Sequence, residues 1–163
     1  MSTLEYPKEI SAPGRRVVTG INASGKSVVV SDGPVPKDAT WSESGVGSAG
    51  DLWVANHVPC DLADTNDPLI GYTLQSWPPP GGVIVRMVTW EPGFTYPMHR
   101  SDTIDFLFVI SGQLEVILEE GSALMRPGET LVQRGTNHAM RVVGNVPCTF
   151  AGVLIDAAPQ TTK

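Results

Sequence analysis

Basic side chains are scarce in this sequence: 11 lysines and arginines stand against 17 aspartates and glutamates, for a formal net charge of -6. Gripping a phosphate backbone takes a cationic surface that releases counterions, so nucleic acid is excluded as a partner. Long apolar runs are missing too. The longest are broken by Arg86, Gly112 or Glu115, well short of the roughly 20 residues that span a bilayer, and no membrane partner is expected. The opening MSTLEYPKEI lacks a basic start and an apolar stretch, so the expectation is a cytoplasmic protein without a secretory leader. Cysteine is nearly absent. Cys60 and Cys148 match no metal or redox spacing and read as reduced, partly buried thiols. A 3.6-residue apolar period is absent as well, which removes helical bundles from consideration.

What is present is globular: 163 residues, 41% apolar and 17% charged, enough for one domain with a sizeable core. Short β-branched segments alternate with Gly, Pro, Asn and Asp, an all-β pattern. A first hairpin is expected from Arg16 to Thr19 and from Lys26 to Ser31, turning at Asn22-Ala23-Ser24-Gly25. From Asp32 to Pro80 the text changes, with Trp41, Trp53, Trp77 and Pro78-Pro79-Pro80, and only Leu52 to Val54 reads as a short strand. This is expected to be a covering segment that also contacts a second copy, making a homodimer that hides edge strands and apolar surface. The expected organisation is therefore 1–82 as N-terminal strands and covering segment, 83–156 as barrel core and 157–163 as tail of one domain. Strands are predicted at Val83 to Trp90, Thr103 to Ile110, Leu114 to Leu118, Ala123 to Arg126, Thr130 to Gln133, Ala139 to Val143 and Cys148 to Ile155. Many short antiparallel strands at even spacing point to a closed or two-sheet barrel.

Chemistry concentrates at two histidines. In an extended segment His99, Ser101, Thr103 and Asp105 share one face, which sets a histidine and a carboxylate together as an acid-base or metal pair. His138 opens another strand, with Met140 on its side, and would meet His99 only inside a barrel. Gln133 shares the parity of Leu131 and is expected as an inward polar contact, or else as a turn residue. Arg86 is expected either to touch substrate or, with Arg100 and Arg141, to pair with Asp105. Ser101 is either a substrate contact or a small filler, and His57 is a surface residue.

These residues carry a resemblance to the cupin superfamily, whose two motifs read G-x5-H-x-H-x3-E-x6-G and G-x5-P-x-G-x2-H-x3-N. The run GFTYPMHRSDTIDFLFVISG keeps Gly93, His99 and Gly112 in register, with Ser101 at the second histidine and Asp105 at the glutamate. GETLVQRGTNHAMRV keeps Gly128, Gly135 and His138, with Gln133 near the proline position and Val142 at the asparagine. The resemblance implies an antiparallel double-stranded β-helix, the jelly-roll cupin barrel. It implies His99, Asp105 and His138 as catalytic residues or as ligands of one divalent metal (iron, zinc, manganese or nickel), in a motif so reduced that a metal-free site is equally open. MHRSDTID and VQRGTNHA further resemble small single-domain cupins assigned to dehydratase or other lyase steps.

Three functions follow as expectations. The first is a lyase or isomerase acting on a small, largely apolar metabolite by His/Asp acid-base chemistry, with Ser101, Gln133, Met140 and Arg86 binding substrate. The second is a non-haem iron dioxygenase using His99, Asp105 and His138. The third is a non-catalytic small-molecule-binding barrel.

Overall fold

Turn residues divide the chain where the sequence places them. The computed structural model describes residues 14–160, and the chain start, where no leader is expected, lies outside the described residues. Asn22 sets the first turn by accepting the amides of Ser24 and Lys26 on its side-chain oxygen at 2.9 and 3.0 Å. That turn joins β1 (Arg15–Ile21) to β2 (Ser27–Pro34) in a two-stranded sheet of their own, each strand longer than predicted.

Ten further strands form two antiparallel sheets that face each other. They are β3 (Thr40–Glu43), β4 (Gly47–Ala55), β5 (Val83–Trp90), β6 (Thr95–His99), β7 (Thr103–Ser111), β8 (Leu114–Leu118), β9 (Ser122–Met125), β10 (Thr130–Arg134), β11 (His138–Val142) and β12 (Cys148–Asp156). One sheet has the order β10-β7-β12-β5-β4-β3 and the other β6-β11-β8-β9. This is the jelly-roll barrel. Leu107, Val109 and Phe150 from the first sheet pack onto Leu114, Val116, Met140 and Val142 from the second. Each such side chain contributes about 1.5–3 kcal/mol by leaving water. A second cluster of Val35, Ala39, Val54, Leu69 and Ile84 anchors residues before β5 onto the larger sheet.

The segment from Asp32 to Pro80 holds more strand than expected. In place of a short strand at Leu52 to Val54, β4 runs for nine residues and pairs with β5 along its length except at Leu52, where the register shifts. Its small side chains permit this. Gly47 has φ of 142°, and a Cβ there would stand 2.1 Å from the Thr89 carbonyl oxygen and 2.9 Å from the Trp90 Cα. Only glycine lets β4 begin so close to the end of β5. Residues 74–77 then line the barrel cavity. Both cysteines are free; Cys148 is sealed in the core while Cys60 is exposed, against the expectation that both are partly buried. Among the described residues no helix is long and apolar enough to cross a membrane.

Candidate functional site

His99 and His138 come together because their strands are neighbours. They are Cα partners in the β6–β11 ladder, and their ring centroids lie 4.3 Å apart. His99 and Asp105 do not share one extended segment, as the alternation assumed. β6 ends at His99, and the chain turns through Arg100–Asp102 before β7 starts in the other sheet. His99, Ser101 and Asp105 nevertheless line one cavity of about 430 Å³, together with Arg86, His138 and Met140.

The histidines are held from behind. The Pro97 carbonyl accepts from His99 Nδ1 at 2.9 Å, and the Thr136 carbonyl accepts from His138 Nδ1 at 2.9 Å. A carbonyl oxygen only accepts, so both bonds fix the ring proton on Nδ1 and leave each neutral Nε2 with a lone pair. His138 is 3% exposed, and burial, with the nearby charge of His99, pushes its pKa below the usual 6.5 against the opposing pull of the Thr136 carbonyl. It stays neutral at physiological pH, as a base must.

Gln133 does not line this cavity but the wall of a second one. Its amide nitrogen donates at 3.0 Å to the Thr136 carbonyl, the oxygen that also takes His138 Nδ1, so the side chain braces the histidine through that carbonyl. The second cavity, of about 560 Å³, is lined by Leu118, Ser122, Leu131 and Arg134 among others, and contains neither histidine.

Asp105 is 8% exposed, and its Oδ1 has no hydrogen-bond partner. None of the three arginines considered reaches it: Arg86 pairs with Asp51, Arg141 with Glu115, and Arg100 is exposed. Its ladder neighbours explain the isolation, since Gln133 is committed to Thr136 and Leu154 is apolar. Burial pushes the Asp105 pKa up, while the Thr103 hydroxyl and His99 pull it down. Ser101 is buried and shares a 2.8 Å hydroxyl bond with Thr103, so it acts as a wall with a modest polar contact.

The sequence reading missed the far end of the cavity. Asp51, 0% exposed, takes Arg86 Nε at 2.6 Å, Arg86 Nη2 at 3.1 Å and the Tyr72 hydroxyl at 2.8 Å. Arg86 Nη2 also donates to the Gln75 carbonyl, tying that lining segment to the barrel. Burial and the bond to Asp51 push the Tyr72 pKa up to about 12. Aromatic rings supply most of the remaining wall, with Trp90 stacked on Tyr96 at 5.7 Å and edge-on to Phe150 at 5.0 Å.

The donor set does not fit a metal held by three side chains. Among the described residues no three His, Cys, Asp or Glu side chains are grouped to hold an ion. The histidines stand on the four-stranded sheet and Asp105 on the six-stranded one that faces it. The expected ligand trio of His99, Asp105 and His138 thus lines one cavity without forming a three-ligand group among the described residues.

Residues 86–155 match the family described as Cupin domain. "Phomopsin biosynthesis cluster protein C'" of Diaporthe leptostromiformis is 38% identical over a stretch covering 51% of this chain and 47% of that protein, so the chain matches about half of that relative's length. "Cupin-domain-containing oxidoreductase srdD" of Neurospora crassa is 33% identical, covering 93% of this chain and 81% of that one. Among solved structures, the Schizosaccharomyces pombe Cnp3 cupin domain superposes with a TM-score of 0.52 at 10% identity over 88% of both chains, a likeness of fold alone.

Proposed function

The chain belongs to the cupin superfamily, and from that premise we propose that it is an enzyme moving a proton on a small, largely apolar molecule bound in the 430 Å³ cavity. The observation that carries this reading is the histidine pair, each ring locked by a backbone carbonyl at Nδ1 with Nε2 free. His138 Nε2 takes a proton from a carbon next to a carbonyl, and the C–H electron pair moves toward the carbonyl oxygen. Asp105, whose proton burial holds more tightly than an ordinary carboxyl holds its own, gives a proton to the opposite end of the substrate. Where that end is another carbon, the double bond migrates and the step is an isomerisation. Where it is a hydroxyl, the C–O bond breaks, water leaves and the step is a dehydration. Both balance without an oxidant.

The test is proton exchange: a panel of small ketones in D2O, followed by NMR with wild type, His99→Ala and His138→Ala. Deuterium entering beside the carbonyl and slowed about 10²–10⁴-fold by His138→Ala supports the reading, because positioned general bases contribute on that scale. Exchange that both substitutions leave untouched overturns it.

One finding favours a second reading. The relative that this chain spans most fully of those described is called an oxidoreductase. Oxygen uptake with iron retained per chain, both lost in His99→Ala and His138→Ala, would favour redox chemistry over proton transfer.

A further inference from the structure

The titratable side chains lining the cavity are Arg86, Tyr96, His99, Asp105 and His138, and Arg86 is the one permanent cation among them. Left alone in an apolar wall, that cation would draw a carboxylate substrate. It is not alone. Asp51 meets it with two oxygens, at 2.6 and 3.1 Å, from a fully buried position, so the guanidinium charge is already paired. Nη1 makes no hydrogen bond among the described residues, so it remains as a donor without a net charge behind it. The rest of the wall disfavours anions further: Trp90, Tyr96 and Phe150 leave it short of groups that could solvate a charge, and Asp105 offers an unpartnered carboxyl oxygen. Burial, which shifts Asp105 up and His138 down, acts in the same direction by favouring the uncharged form of both.

We infer that the cavity selects flat, uncharged molecules bearing a carbonyl oxygen that accepts from Arg86 Nη1, and turns away their carboxylates, with Asp51 setting that choice from behind the wall. The inference deepens the function proposed above and rests on the same cavity. Asp51 does not line it, so it is a positioning residue that acts through Arg86.

Two probes of nearly the same shape, 2-acetylnaphthalene and 2-naphthoate, test it by equilibrium dialysis against the full chain. Wild type is expected to hold the ketone at least about tenfold more tightly, a difference of roughly 1.4 kcal/mol. Asp51→Asn keeps the shape and unmasks the Arg86 charge, so the carboxylate should gain about tenfold or more. Should Asp51→Asn fail to fold, the double variant Asp51→Leu with Arg86→Met replaces the pair by apolar groups, a change buried pairs tolerate. It should lose about tenfold for the ketone and still refuse the carboxylate. Equal or tighter binding of the carboxylate by wild type, or ketone binding indifferent to the double variant, overturns the charge selection and leaves the cavity as a site. Binding of neither probe, or binding that Met140→Trp fails to block, overturns the cavity as the site and the inference with it.

Discussion

Asp51 and Asp105 belong to the same sheet, are both nearly sealed from water, and lead opposite lives. Asp51 is met by a guanidinium and a phenol. Asp105 stands beside a glutamine already spent on its own turn and a leucine that has nothing to offer, and its Oδ1 is left without a partner. The lesson is that burial alone does not decide what a carboxyl does. The partners in the neighbouring strands decide whether it is a paired group that holds structure together or one with an oxygen left free for chemistry.

Breaking the satisfied end should cost most. Arg86→Met strands the Asp51 charge in the interior, and denaturant unfolding should show a loss of about 3–5 kcal/mol. Tyr72→Phe removes one bond to that carboxylate, with an expected loss of about 1.5–3 kcal/mol in the same assay. The unsatisfied end should respond with the opposite sign. Asp105→Asn does not titrate, whereas the Asp105 pKa is raised in the folded state above its ordinary 3.8. The stability that Asp105 contributes is therefore whole below that ordinary value and is lost as pH rises through the raised one. Thermal melts should show the variant gaining on wild type as pH rises, by about 1–3 kcal/mol at pH 8, the usual penalty of one unpaired buried polar group. A gain of equal size at pH 3 and pH 8 would remove titration as its cause. The smallest effect belongs to a pair outside this contrast. Arg15 and Asp32 meet at 2.6 Å with side chains 69% and 47% exposed, so Arg15→Ala should leave the denaturation midpoint unchanged within error.

Much of the barrel was legible because its strands are regular: Val83–Trp90 and Leu114–Leu118 begin and end where the alternation and turns predict. The histidine pair was legible from motif spacing. β6 was not, for a local reason: its TYPMH text contains Pro97, which argues against a strand. Pro97 is tolerated because β6 is the edge of its sheet, where a missing donor breaks no ladder on the open side. The Asp51–Arg86 pair was hidden by a longer-range cause. The two are Cα partners in the β4–β5 ladder, a relation visible only once GSAGDLWVA is known to be a strand, and its Gly, Ala and Ser content hides that. Gln133 was left open between an inward contact and a turn residue; it is buried, and the side it serves depends on a turn at Thr136 that alternation does not encode.

The ladder position of the two histidines has a consequence for how this site could be lost or reshaped. Since His99 and His138 face each other as register partners, the strand spacing sets their separation. A substitution therefore deletes one ring and spares the other. A single-residue insertion within β6 or β11 swings one ring to the far side of the sheet and dissolves the pair while both histidines stay in the sequence. Length changes inside these two strands should accordingly be as damaging as losing a histidine, whereas the β8–β9 turn, which carries neither, is free to lengthen.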